Sequence, residues 1–119
     1  MMEAQELRIG NIIEGYLEPQ VSEWVEIEVT LEVLGRMQTY PNTHGYRPIS
    51  LTGEWLVRLG FEKLQKGFMY DRMYLITTPV GFLYKNDLID DFVRINFVHN
   101  LQNLYHALTG QELTLKTNP

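Results

Sequence analysis

Val93-Arg94-Ile95-Asn96-Phe97-Val98-His99-Asn100-Leu101-Gln102-Asn103-Leu104-Tyr105-His106-Ala107-Leu108-Thr109-Gly110 changes its period in the middle. Val93, Ile95 and Phe97 alternate with Arg94 and Asn96, the two-residue rhythm of a strand with one buried face. From Phe97 onward the spacing becomes helical. Phe97, Val98, Leu101, Leu104, Tyr105 and Leu108 share one side, and His99, Gln102, Asn103 and His106 share the other. Gly110 supplies the left-handed residue that ends a helix. A strand that runs into an amphipathic helix predicts an α+β fold: a bent antiparallel sheet packed on the C-terminal helix.

Upstream, Phe61 to Tyr84 reads as strands. Turns fall at Gln65-Lys66-Gly67, at Asp71-Arg72 and at Thr78-Pro79-Val80-Gly81, the last joining 73–77 and 81–84 as a hairpin. Asn86-Asp87 and Asp90-Asp91 mark a further polar turn. Thr52 is an N-cap, Glu54 suits the first turn, Leu51 and Leu56 form a staple and Gly60 stops the element, so a short helix is expected over 53–59. Val25, Ile27, Val29, Leu31 and Val33 alternate with Glu26, Glu28, Thr30 and Glu32, which predicts one strand over 25–33 with an acidic wet face. Leu7, Ile9, Ile12 and Ile13, broken by Gly10-Asn11, read as a strand with a turn or bulge, and Gly15 to Ser22 as a loop. Leu113 and Leu115 suggest a short edge strand. The segment 38–48 has no period and two Pro residues and is expected to be a long loop.

The chain has 119 residues, 45% hydrophobic and 21% charged, which suits a single globular domain over 1–119. The absence of cysteine excludes disulfide scaffolds, thiolate metal sites and cysteine nucleophiles. No run approaches the roughly 20 apolar residues of a membrane span, and the acidic start has no signal-peptide character, so a cytoplasmic protein is expected. Fifteen Asp and Glu face ten Lys and Arg, giving a net charge of -5. With no basic block, duplex nucleic acid is an unsuitable partner.

Chemistry-bearing residues are few. His99 and His106 lie seven residues apart, roughly 10.5 Å along a helix, too far to share one ion. Asp87, Asp90 and Asp91 are explained by turn chemistry without a cation. Neither metal nor cofactor is expected. The two serines, Ser22 and Ser50, sit in no nucleophile pattern, and no glycine-rich phosphate loop is present. The segment 38–48 gathers the best candidates for contacting a ligand or partner. Tyr40 and Tyr46 offer stacking faces, Asn42 and His44 hydrogen bonds, and Arg47 a guanidinium fork, with Trp55 and Arg58 extending the surface from the next helix.

Three motifs carry a resemblance: Leu7-Arg8-Ile9-Gly10-Asn11; Pro48-Ile49-Ser50-Leu51-Thr52-Gly53-Glu54-Trp55-Leu56; and Val98 through Leu113, which includes His99-Asn100-Leu101-Gln102-Asn103-Leu104-Tyr105. The chain resembles small uncharacterised proteins of Bacteroidetes bacteria and of their phages and prophages, with patterns "LRIGN", "PIPLTEEWL..FGF" and "YVHQLQNLYFALTGEEL". It departs at Ser50, Gly53 and Asn100, where the family often has Pro, Glu and Gln. The resemblance implies a mobile-element context and brings no catalytic residue. By analogy the opening segment resembles the first strand of an SH3-like barrel.

The reading is therefore a non-enzymatic binding module, one version being a counter-defence protein that sequesters a nucleotide-like signal or binds a host protein. A small hydrolase or transferase using carboxylates and His44, and a virion or scaffold component, are the alternatives. Aromatic residues at 12% exceed what a small core needs, so a homo-oligomer is expected. Titrated by fluorescence anisotropy at physiological salt, a generic DNA duplex is expected to show no tight binding. Sub-micromolar affinity would overturn the charge argument.

Overall fold

The computed structural model describes residues 6–16, 24–39, 45–71, 73–86 and 91–116. The fold is α+β, and the chain divides into two compact units, Met1–Ile49 and Ser50–Pro119. In the first unit β1 (Ile12–Tyr16) is flanked by the antiparallel β2 (Trp24–Glu28) and the two-residue β3 (Tyr46–Arg47), and α1 spans Leu31–Thr39. Leu7, Ile13, Val29 and Met37 form the core, with Ile27, Val33, Leu34 and Tyr46 packed against it.

Three expectations change here. The strand over 25–33 ends at Glu28, and a helix begins at Leu31. The Thr30 hydroxyl accepts from the Val33 amide at 3.2 Å and its carbonyl accepts from Leu34 at 3.0 Å, the bonds of an N-cap. Once capped, Val33, Leu34 and Met37 reach the core at helical spacing, while Glu32 and Arg36 pair at 3.1 Å one turn apart. The alternation up to Val33 coincides with a helical pattern beyond it, and the cap decides between them. The long loop over 38–48 shrinks from both ends, because Gln38 and Thr39 finish α1 and Tyr46 and Arg47 join the sheet; 40–44 lie outside the described residues. Nor does the opening segment start a closed barrel: β1 is the centre of an open three-stranded sheet, whereas closing a barrel takes strands enough to remove both edges.

In the second unit, α2 (Gly53–Arg58) starts at Thr52, whose hydroxyl accepts from the Trp55 amide at 3.2 Å. Strands β4 (Glu62–Lys63), β5 (Gly67–Tyr70), β6 (Met73–Thr78), β7 (Gly81–Asn86) and β8 (Asp91–Ile95) form an antiparallel meander in chain order. Phe68, Met73, Leu75, Phe82 and Ile95 occupy one face and are buried. A Cβ on Gly67 would collide with the Leu75 carbonyl, so glycine is required where β5 meets β6. The final helix, α3, spans Val98–Thr109 and ends at Gly110 with φ 76°. No helix among the described residues is long and apolar enough to cross a membrane.

The inward face of α3 is rotated from the expected one. Val98, His99, Leu101, Gln102 and Tyr105 are buried, Leu104 is half-buried and Leu108 is 49% exposed. Gln102 is tolerated inside because its amide donates to the Leu113 carbonyl at 3.0 Å. That bond also explains why Leu113 and Leu115 form no strand. Leu113 is buried under the helix, and the tail is tied down again where the Lys116 amide donates to the Arg58 carbonyl at 2.7 Å. Leu101→Ala should therefore cost about 2–5 kcal/mol and Leu108→Ala less than about 1 kcal/mol. Urea unfolding of both variants checks this, and equal losses would restore the face expected from periodicity.

Candidate functional site

The residues singled out in the sequence fall in different places. Tyr40, Asn42 and His44 lie outside the described residues. In the first unit Tyr46 packs half-buried against the core, and Arg47 is engaged internally. Its Nε donates to Glu14 at 2.7 Å, and its guanidinium lies 4.0 Å from the Trp24 ring centroid. The sheet register makes this pairing. Glu14 stands between Glu26 on β2 and Arg47 on β3, so Arg47 offsets two facing carboxylates. Trp24 meets Tyr16 edge to face at 5.4 Å, completing a cluster of two rings, a guanidinium and a carboxylate. Trp24 and Tyr16 were not apparent in the sequence because only the pairing of β1 with β2 brings them together.

In the second unit Trp55 is buried, and Arg58 lies 4.1 Å over its ring. His99 is buried and stacked on Phe97 at 5.9 Å, while His106 sits 3.6 Å from Glu112. His99 departs from the polar face expected of the two histidines, whereas His106 stays partly exposed on it. Of the acidic turn, Asp87 and Asp90 lie outside the described residues.

The same unit contains a cleft of about 490 Å³ that sequence reasoning missed. It lies where the C-terminal end of α3 leaves the sheet. Met73 and Tyr84 come from β6 and β7, Tyr105, Leu108 and Thr109 from α3, Gln111 from the turn after it, and Asp71 from the β5–β6 turn. Tyr105 faces inward as its spacing predicts, and the rotation of α3 leaves Leu108 at the rim. Asp71 holds that turn with φ 55°, a left-handed conformation that Asp tolerates better than most residues. The Thr109 hydroxyl donates to the Tyr105 carbonyl at 2.8 Å and accepts from the Gln111 amide at 3.1 Å, so it fixes the cleft's edge.

The lining holds one carboxylate, two phenols, a hydroxyl and a carboxamide beside the apolar side chains of Met73 and Leu108. Paired carboxylates and an imidazole, which acid–base hydrolysis would use, are absent from it among the described residues. Burial pushes the Tyr105 phenol above its ordinary value of 10.0, and the neighbouring Tyr70 and Asp71 act in the same direction. Comparison with protein-family models, curated proteins and solved structures finds no match.

Because the folded state favours the neutral phenol, Tyr105 contributes stability that is fully present below pH 10.0 and is lost as pH rises through its higher folded value. Ultraviolet titration should show one tyrosine ionising later than the rest, and Tyr105→Phe should remove that late component. A uniform titration unaffected by the substitution would contradict this environment for Tyr105.

Proposed function

We propose that the protein is a non-enzymatic binding module, and that the cleft beside Tyr105 is its ligand site. The observation that carries this reading is the convergence of Asp71, Tyr84, Tyr105 and Gln111 on one cleft of about 490 Å³, a volume within the range of small-molecule sites. The resemblance of the opening, central and closing motifs supports a phage or prophage setting, where a small protein that removes a host molecule from solution serves as counter-defence. A nucleotide-like signal fits the Arg47 surface less well than the sequence suggests, because Glu14 and Trp24 already occupy much of that guanidinium.

The test is a ligand-depletion screen on the small-molecule fraction of host extract. The protein should deplete a compound and release it with its mass unchanged after denaturation. Leu108→Arg, placed at an exposed rim position where a large side chain does not disturb the core, should abolish depletion while retaining the fold. Release of a chemically altered compound would make the protein an enzyme. Equal depletion by the variant would move the site away from the cleft, and no depletion of any compound would contradict a small-molecule role.

A further inference from the structure

The cleft's lining also indicates the charge of its ligand. Among the described residues that line it, the one charged group is the Asp71 carboxylate. Thr109 is committed on both sides, donating to Tyr105 and accepting from Gln111. Against the described lining an anionic ligand would face a like charge, whereas a cation would gain a counter-charge. The net charge of -5 favours a cation at longer range too.

The aromatic surroundings point the same way. The Tyr105 ring lies 5.6 Å from Tyr70, and over Tyr70 the chain places its own ammonium, Lys116 Nζ, 5.5 Å from the ring centroid. This row of phenols therefore already accepts a cation at one end, and it continues into the cleft through Tyr105, with Tyr84 on the sheet side. Phenol faces attract cations through the ring quadrupole. Met73 and Leu108 supply apolar contact for alkyl groups attached to the charge.

We propose that the cleft bounded by Asp71, Tyr84, Tyr105 and Leu108 binds a small organic cation of the alkylammonium class, the carboxylate balancing the charge and the tyrosine faces and aliphatic side chains receiving its alkyl groups. This rests on the cleft being the ligand site, and it is a narrower statement than that one. The occupant proposed is a free metabolite, and a cleft of about 490 Å³ takes such an ion whole.

Choline and its uncharged carbon isostere, 3,3-dimethyl-1-butanol, have the same shape and differ in charge, so they are the probes. Titrations followed by calorimetry and by NMR shifts should show choline binding about tenfold more tightly than the isostere. Asp71→Asn, which keeps the side-chain shape and tolerates the same left-handed backbone, should weaken choline binding about tenfold and leave the isostere unchanged. Leu108→Arg should abolish both. Equal affinity for the two probes, or tighter binding of adenosine monophosphate at the cleft, would overturn the cation assignment. A trimethyl-lysine peptide binding more tightly than choline would overturn the assignment to a free metabolite. Absence of choline binding alongside an extract compound whose depletion is lost in Leu108→Arg would overturn the cation while leaving the cleft as the ligand site. Choline binding indifferent to both variants would place the cation site elsewhere.

Discussion

The unit beginning at Ser50 depends on which way α3 is turned. With Gln102 inside, its amide holds the Leu113 carbonyl and draws the tail beneath the helix. With Tyr105 inside, its ring closes against Tyr70 on the sheet, and Phe61 lies 5.4 Å beyond. Leu108 is then left at the rim, and the space between it and Asp71 is the cleft. A buried carboxamide with a satisfied donor is a strict positional device, because an unmet amide in that setting costs far more than the bond contributes. One polar contact thus decides the rotation of the helix, the course of the tail and the presence of a site.

The first unit is organised by a different constraint. Its three-stranded sheet sets Glu14 opposite Glu26, an arrangement that is unfavourable until β3 supplies Arg47. Arg47 joins the edge strand to the centre through Glu14 and caps the Trp24 ring. Its first role is therefore structural, although two aromatic rings accompany it at the surface. Tyr46, beside Arg47 on β3, packs half-buried on the core.

Much of the architecture was legible in residue order. The short helix after Thr52, the hairpin at Thr78 to Gly81, the final helix and its stop at Gly110 follow from caps, turn residues and local periodicity. The misreadings have a common cause. Alternation from Val25 to Val33 and amphipathicity from Val98 to Leu108 are local patterns, but the capping bond at Thr30 and the partner of Gln102 are specific contacts that a pattern of polarity does not encode. Treating glutamine as a surface residue turned the helix by part of a revolution and hid the cleft. Residues 71, 84, 105 and 111 lie far apart in the chain and share no motif, so only the tertiary register brings them together. Of the expected contact residues, Arg47 lies over the Trp24 ring and Arg58 over the Trp55 ring, partners within the protein that residue order does not reveal.

The inward position of Gln102 is the point on which the cleft, and the ligand proposed for it, both rest. Hydrogen exchange of the Gln102 side-chain amide, followed by NMR with the amide assigned, tests it most directly. A buried amide donating to the Leu113 carbonyl should exchange far more slowly than the side-chain amide of an exposed glutamine and should show a nuclear Overhauser contact to Leu113. Exchange at the rate of a solvated amide, with no contact to Leu113, would place Gln102 outside and remove the basis for the cleft.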